Sequence, residues 1–448
     1  MSNCGCELIP IPCMRRPSAA TVDRSGLDFL IQERTRMQSV DTEFEGLPGW
    51  QRNNYATMLA LVLVCITFSF TVPFLPLYLE QMSDLSGADA AMWAGIATGL
   101  GGLALFITGP IWGALGDRFG RKAMLVRALF GGALGLLLIG LATSVWQVVV
   151  IRTFIGVMAG AGPAGMAMVS AGTPSKHLAK SLGQFQAVTL AGMAIGPVIA
   201  SVMISFWSYS TTFVIGGILM FSGTFVAVIL IREPKRPQTS QRVSAMDSFK
   251  SVIKSPVASV ALLLVLVVSF AAPMVQPILP SFVVSLLPEG AESSAIVGWL
   301  FFGISTASAI GAMFAGRILG RVTHQRLLLI SSIGVAVFLF PLALVQGVPL
   351  LAVFVVAMSF FQGLLSTSSA SLLPTLVSAT ALSSIFGLYQ SVQALSSQIG
   401  PAIGGIIAVH LGYRAVFAMS ALLLLALGLP MLAYFARVVR KNRELVSS

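Results

Sequence analysis

Long runs of apolar residues recur along the chain, each bounded by a short polar segment. One helical crossing of a bilayer core about 30 Å thick needs roughly 20 apolar residues. Backbone groups in lipid must be hydrogen-bonded within their own segment, so these runs are predicted to be helices rather than open strands. Twelve runs are predicted to be membrane spans: 55–79, 91–115, 123–143, 145–171, 181–206, 211–231, 257–286, 294–316, 326–345, 349–374, 381–409 and 413–436.

Composition agrees with a chain whose surface faces lipid. Apolar residues make up 56% of the 448 residues, and charged residues make up only 10%. A soluble chain carries roughly 25% charged residues. The scarcity of charge therefore excludes an ordinary soluble protein.

The few charges are distributed unevenly between the loops. With the N-terminus in the cytoplasm and the loops alternating in side, all Lys and Arg residues except Arg152 and Arg414 fall on the cytoplasmic side. This is the positive-inside pattern, and it predicts that both termini are cytoplasmic. The net charge of +11 thus reflects membrane topology, and no nucleic-acid partner is predicted. The loops predicted to be external carry acids: Glu80, Asp84, Asp89, Glu289 and Glu292.

Residues 1–50 are polar and hold no apolar core long enough for a signal peptide, so they are predicted to form a disordered cytoplasmic tail. An alternative is that translation starts at Met37. Three cysteines lie in this tail, but they lack a fourth ligand and a standard zinc spacing, so no metal site is predicted: Cys4, Cys6 and Cys13. Residues 438–448 are predicted to be a second cytoplasmic tail.

Two landmarks repeat with one offset along the chain. The segment Pro73–Pro76 in the first span recurs as Pro277–Pro280 in the seventh span. The pair Gly196-Pro197 in the fifth span recurs as Gly400-Pro401 in the eleventh span, again 204 residues later. This register indicates an internal duplication.

The duplication predicts an all-α integral membrane protein made of two pseudo-symmetric six-helix bundles. The bundles comprise residues 51–231 and 257–437, joined by a basic cytoplasmic linker at 232–256. Repeats that enclose a site at their interface are an architecture of transporters. No span contains an HExxH motif or a His–carboxylate constellation, so an enzyme is not predicted.

Three motifs resemble those of the major facilitator superfamily, in its twelve-helix drug:proton antiporter branch. The signature segment of that superfamily is similar to Gly113-Ala-Leu-Gly-Asp-Arg-Phe-Gly-Arg-Lys122 after the second span. The fourth span carries Arg152-xxx-Gly156, and the fifth span carries Gly192-xxx-Gly196-Pro197. The resemblance covers roughly residues 50–437 and implies the major facilitator fold.

Within that branch, the chain resembles a group of multidrug exporters through residues 74–81 and 412–417. Two departures stand out. Ala200-Ser201 replace the paired glycines that usually end the fifth-span motif, whereas the eleventh-span copy keeps Gly404-Gly405. Arg317 stands where the second half would carry an acid, so only the first half supplies a carboxylate to this cytoplasmic latch.

The segment 113–122 is predicted to be a gating loop. By resemblance, Asp117 faces the N-terminal end of the eleventh helix in the outward-facing state, where a carboxylate gains about 0.3–1 kcal/mol. The alternative is that the cations only set topology. Glycines in this segment permit a tight turn. The predicted gating residues are Gly113, Gly116, Asp117, Arg118, Gly120, Arg121 and Lys122.

Proton coupling has three candidates: Arg152, Glu80 and Asp117. Arg152 is the only ionisable side chain well inside a predicted span, where insertion costs about 2.5–3.5 kcal/mol, so it is expected to face the bundle interior. The alternative is that Arg152 extends toward an aqueous surface. By resemblance, this arginine is linked to proton transfer. No Asp or Glu lies near the centre of any predicted span.

The fifth and eleventh spans carry small residues and prolines that suit close helix packing. By resemblance, this motif is the flexing and leak-sealing element of exporters, although bundle packing alone also accounts for the glycines. The residues are Gly192, Gly196, Pro197, Gly400, Pro401 and Gly404.

A substrate cavity is predicted from aromatic and amide residues in spans one, seven, ten and eleven. An apolar wall with a few amides suits bulky amphipathic or cationic compounds. The candidates are Phe70, Phe74, Tyr78, Phe270, Gln276, Phe361, Gln362, Tyr389, Gln390 and Gln393.

The function predicted from these features is secondary active export of lipophilic or amphipathic drug-like compounds by proton antiport with alternating access. The alternative is a transporter of one specific metabolite or siderophore-like compound. The predicted partners are small lipophilic molecules, protons and membrane lipids. No cofactor is expected beyond the proton gradient, and a monomer in the inner membrane is expected.

Overall fold

The structure is a computed structural model that describes residues 47–233, 256–288, 293–319, 321–372, 382–435 and 437–438. Within these ranges, twelve helical segments, some made of two consecutive helices, are long and apolar enough to cross a membrane. The predicted all-α architecture with twelve spans is therefore confirmed. The predictions for the N-terminal tail, for most of the linker and for the C-terminal tail lie outside the described residues.

Eight helices form the first six spans. Spans one and four consist of two helices each. In chain order the helices are α1 (Trp50–Ser69), α2 (Thr71–Ser83), α3 (Gly87–Phe119), α4 (Arg121–Gly140), α5 (Val145–Met158), α6 (Ala161–Gly172), α7 (Ser175–Phe206) and α8 (Tyr209–Leu230).

The second half repeats the order of six spans, but span ten is one helix where span four has two. Span seven again consists of two helices, and span nine ends in a short 3-10 turn at Phe340–Ala343. The helices are α9 (Pro256–Val275), α10 (Leu279–Ser285), α11 (Ser293–Ile318), α12 (His324–Leu339), α13 (Val348–Leu372), α14 (Leu382–Leu411) and α15 (Tyr413–Leu423), the last continuing through a π turn at Leu424–Gly428.

The repeated proline segment explains why spans one and seven are both broken. Pro73 has no N–H to donate to the carbonyl of Ser69, and α1 ends at that residue. In span seven, α9 ends at Val275 and α10 starts at Leu279, with Pro277 between them. A broken helix leaves backbone polar groups free near the middle of the bundle, as is common at transporter sites.

The chain crosses the bundle alternately, which gives the bundle two ends. We call the end with Trp50, Phe119 and Leu230 the terminal end, and the end with Ser83 and Leu411 the far end. Far-end side chains of both halves share one apolar core, which includes Leu79, Phe213, Phe282 and Phe417. Toward the terminal end each half has its own cluster, around Met58, Leu125 and Met168 in the first half and around Ala315, Leu327 and Leu364 in the second.

Small residues allow the two halves to touch at the far end. A β-carbon at Gly95 on α3 would collide with the carbonyl oxygen of Pro401 on α14, and one at Gly405 would lie 2.6 Å from Cα of Met92. At Gly109 and Gly113, nearer the terminal end of α3, a β-carbon would meet no heavy atom within 4 Å. The halves therefore meet closely at the far end and are separated along α3 toward the terminal end.

This contrast predicts different effects of one substitution at two positions of α3. Gly95→Leu is expected to lower the free energy of unfolding by about 1–3 kcal/mol, because the new side chain overpacks the contact with α14. The matched variant Gly109→Leu is expected to leave it within about 0.5 kcal/mol of wild type. Thermal unfolding of the purified variants in detergent measures both. Equal losses would contradict the described contact.

Candidate functional site

A cavity of about 220 Å³ lies between the two halves, at the level of the breaks in spans one and seven. This volume is below the range of about 300–1,000 Å³ that is usual for drug-sized ligands, so it holds a small molecule or one end of a larger one. Its walls are formed by Phe68, Ser69, Val72, Met193, Pro197, Ala272, Val275, Gln276, Leu279, Phe301, Ile304, Ser305, Ser308, Val355, Met358, Ser359 and Gln362.

The cavity wall is mostly apolar, with a few hydroxyl and amide groups. Two of the predicted cavity candidates, Gln276 and Gln362, lie on it. The amide oxygen of Gln362 is buried and has no hydrogen-bond partner among the described residues. A ligand that donates a hydrogen bond to this oxygen would therefore remove the cost of an unpaired buried acceptor.

The aromatic residues predicted on the first span lie elsewhere, and the expectation is corrected for Phe70, Phe74 and Tyr78. The Tyr78 hydroxyl donates to the carbonyl of Ile139 at 3.0 Å. Both Phe70 and Tyr78 pack against Phe213 within the first half. Along a helix, residues four apart share a face, so these rings point into the first half while Phe68 and Val72 face the cavity.

The remaining cavity candidates are also corrected where their side chains are described. The Phe361 ring stacks on Phe338 at a centroid distance of 5.6 Å, between spans nine and ten. The Gln393 amide donates to the Tyr389 hydroxyl at 2.7 Å, so these two groups satisfy each other away from the cavity wall. Phe270 packs against the apolar core. The side chain of Gln390 lies outside the described residues.

Arg152 is buried in α5, with 5% of its surface exposed. Its Nη2 is 3.5 Å from the Thr98 hydroxyl, and its guanidinium carbon is 5.4 Å from the centroid of the Phe68 ring. Its Nε has no hydrogen-bond partner among the described residues. The guanidinium thus faces the bundle interior, beside a ring that forms part of the cavity wall.

Glu80 is half-buried at the far end, where the halves meet. A β-carbon at Gly87 would lie 2.8 Å from the Tyr413 hydroxyl and 3.5 Å from Glu80 Oε1, so α2, α3 and α15 converge on this point. The Tyr413 ring packs against Phe282 of α10 at 5.8 Å. The carboxyl group therefore lies in the contact that closes the far end.

The predicted gating segment is helical over most of its length, which corrects its interpretation as a loop. Residues up to Phe119, including Gly113, Gly116 and Arg118, belong to α3, and α4 starts at Arg121. The turn consists of Gly120, whose φ of +105° is disfavoured for residues with a β-carbon. The backbone of Asp117 lies in the last turn of α3, and its side chain lies outside the described residues.

Glu233, which sequence reasoning missed, holds this segment to the end of span six. Its carboxylate accepts hydrogen bonds from the backbone N–H groups of Arg121 at 2.8 Å and Lys122 at 2.7 Å. These are first-turn N–H groups of α4, which have no partner within the helix, and a carboxylate there is also favoured by the helix dipole. Lys122 in turn donates from Nζ to the carbonyl of Val228 at 2.7 Å.

The glycines of the fifth and eleventh spans make equivalent contacts within the two halves. A β-carbon at Gly192 would lie 2.9 Å from Cβ of Cys65, and Gly196 also lies against α1. On the other side, a β-carbon at Gly400 would lie 2.8 Å from Cβ of Pro273, and Gly404 lies against Met274 of α9. These residues bring α7 onto α1 and α14 onto α9.

The substitution at Ser201 is accommodated by the facing helix. A β-carbon at Gly298 on α11 would lie 2.5 Å from Cβ of Ser201 and 2.9 Å from the carbonyl of Pro197. The missing glycine of the fifth-span motif is thus replaced by one on the opposite half. The close contact across the halves is kept.

Two halves of six spans, with a cavity between them at broken helices and close contact at one end, are the architecture of a membrane transporter. The sequence profile of the Major Facilitator Superfamily matches residues 57–288 and 283–447. The chain belongs to the Major Facilitator Superfamily. It is a secondary transporter of small molecules and a multi-pass inner-membrane protein, not an enzyme.

A similar relative is the multidrug resistance protein MdtG of Klebsiella pneumoniae (strain 342). The two sequences are 28% identical over 393 residues, which cover 86% of this chain and 93% of the relative. MdtG of Escherichia coli O1:K1 / APEC is 27% identical over 381 residues, which cover 83% of this chain and 92% of the relative.

Among solved structures, the nucleoside transporter NupG has a similar fold, with a TM-score of 0.72 at 14% identity. The alignment covers 86% of this chain and 98% of NupG. At this identity the likeness concerns the fold alone.

The contacts of Glu233 predict a local effect at the start of α4. Glu233→Ala is expected to lower the stability of this turn by about 0.5–2 kcal/mol, because two N–H groups lose their acceptor. Hydrogen exchange of the Arg121 and Lys122 amides is then expected to be faster than in wild type. Glu233→Gln keeps one acceptor oxygen and is expected to show a smaller change. Unchanged exchange in Glu233→Ala would contradict the capping role.

Proposed function

We propose that this protein is a proton-driven exporter of lipophilic or amphipathic drug-like compounds. The observation that supports this most is the cavity between the halves, with apolar walls and amides from Gln276 and Gln362. Such a wall fits compounds with large apolar surfaces and few polar groups. The relatives named as multidrug resistance proteins agree with this proposal. Both halves of the site come from one chain, so a monomer suffices.

The proposed cycle follows from the end at which the halves touch. With both termini cytoplasmic, the far end is external, and the structure corresponds to a state closed to the outside. Substrate then enters from the cytoplasm or the inner leaflet. Rocking of the halves about the cavity opens the far-end contacts and brings α3 closer to the second half at the terminal end. The substrate leaves externally.

Glu80 is the carboxylate that we propose couples this movement to protons. In the closed far end it is half-buried against groups of both halves, and opening of that end would expose it to external water. A carboxyl whose solvation differs between two states binds protons differently in those states. That difference is what antiport requires. Asp117 would act at the terminal end, where the opposite closure forms.

A second candidate function is transport of one specific small metabolite. The modest cavity of about 220 Å³ and the unpaired oxygen of Gln362 favour a small ligand that donates a hydrogen bond. Inhibition of dye transport by a chemically diverse panel of compounds distinguishes the two functions. Inhibition by many unrelated lipophilic compounds supports the multidrug exporter, and inhibition by a single compound class supports the alternative.

Inverted membrane vesicles test the coupling directly. Vesicles with an acidic lumen are expected to accumulate a lipophilic fluorescent dye, and a protonophore is expected to abolish the accumulation. Glu80→Gln is expected to reduce proton-driven uptake at least tenfold while dye binding stays within about twofold, because the amide cannot release a proton. Glu80→Asp, which keeps the carboxyl, serves as the matched control. Dye uptake by the wild type that is unchanged by the protonophore would contradict the proposal.

A second prediction concerns the terminal end. Asp117→Asn is expected to abolish drug resistance in a sensitised host while membrane expression stays at the wild-type level, because the charge that favours closure of this end is lost. Resistance assays with expression checked by immunoblot measure both quantities. Asp89→Asn, at the far end, is the matched control. Wild-type drug resistance in the Asp117→Asn variant would contradict the gating role of Asp117.

A further inference from the structure

The guanidinium of Arg152 is a buried cation without a counter-charge. It is 95% buried, its Nε lacks any partner among the described residues, and its one side-chain hydrogen bond is the 3.5 Å contact with Thr98. No carboxylate in the described part of the chain pairs with it. Charged groups inside a membrane protein are normally paired or face a wet cavity that admits a partner.

The sequence offers no internal anion for this cation. Within the bounds of the twelve described spans, the acidic residues are Glu80 and Asp89. Asp117 lies beyond the second span, in the last turn of α3. Glu80 lies in the contact that closes the far end, and Asp89 lies in the first turn of α3. Arg152 lies seven residues inside α5, roughly 10 Å from the start of that helix at 1.5 Å per residue. Among the described residues no carboxylate complements Arg152, so an anion supplied from outside the protein can fill this role.

Phe68 connects this cation to the cavity. The ring is part of the cavity wall and 39% exposed, and the guanidinium carbon lies 5.4 Å from the ring centroid. A rotation of this one side chain would open Arg152 to a ligand in the cavity. The described wall carries no acidic side chain that would attract a cation instead.

We propose that Arg152, behind Phe68, is the anion-binding part of the substrate site, and that the preferred substrates are amphipathic organic anions. The acid group of the substrate pairs with the guanidinium, and its apolar body fills the space between Val72, Phe301 and Met358. This inference rests on the proposed function, because it takes the cavity as the substrate site. It replaces the expectation of cationic compounds, because the described cavity wall carries no acidic side chain that would pair with a cation.

Two near-isosteric probes test the inference: 1-naphthylacetate, an anion, and 1-naphthylacetamide, its neutral counterpart. Binding to the full-length protein purified in detergent is measured by ligand-induced thermal stabilisation, which needs no proton gradient. Wild type is expected to bind the acetate about tenfold more tightly, the range expected of a charge-assisted hydrogen bond. In Arg152→Gln the two affinities are expected to be equal within about twofold.

Three further measurements separate this role from a structural one. Arg152→Lys keeps the charge and is expected to retain a preference for the acetate, whereas Phe68→Ala is expected to preserve or increase it, because access improves. Gln362→Ala is expected to weaken both probes alike. Retained amide binding in Arg152→Gln shows that the variant is folded.

Equal wild-type affinities, or a preference that persists in Arg152→Gln, would overturn the inference. So would loss of the wild-type preference when chloride replaces gluconate in the buffer, because the site would then hold an inorganic anion. These outcomes can be distinguished from failure of the proposed function: failure of proton-driven dye uptake leaves the equilibrium preference measurable, and successful uptake of neutral dyes does not create it.

Discussion

The close approach of the two halves at the far end is the contact on which the rest of the structure depends. It requires backbone-to-backbone proximity between α3 and α14 and between α7 and α11, which Gly95, Gly405 and Gly298 permit. In lipid, such packing contributes stability mainly through contact rather than through exclusion of water. Because the contact is confined to one end, the cavity below it is closed on that side. In the proposed cycle, closure of the opposite end is the alternative state of the same fold.

The distribution of charge follows from the same architecture. Buried ionisable groups are costly in a low-dielectric interior, and the chain keeps few of them. Glu80 lies where the halves separate in the proposed cycle, and Arg152 lies beside the cavity wall. Glu233 joins the α3–α4 turn to the end of span six. In the proposed cycle, Glu80 is the charge whose surroundings change when the halves move, whereas the described contacts of Glu233 and Arg152 lie within the first half.

The sequence predicted the fold well because lipid imposes length and composition on each span, and the duplicated prolines marked the breaks of spans one and seven. It predicted the cavity wall poorly. Span one is apolar on all sides around its break, so the pattern does not indicate which face points toward the cavity, and Phe70, Phe74 and Tyr78 were assigned to the wrong face. Gln276 and Gln362, which stand out as amides within apolar spans, do lie on the cavity wall. Glu233 was missed because its partners lie about 110 positions earlier in the chain.

The central claim is that closure of the two ends alternates about the cavity. Distances between spin-label pairs at exposed positions test it most directly: Phe119 with Arg321 at the terminal end, and Thr143 with Leu344 at the far end, in a background without native cysteines. Changing pH and adding substrate is expected to shorten one distance while lengthening the other. Distances that rise together, fall together or stay fixed under every condition would contradict the account.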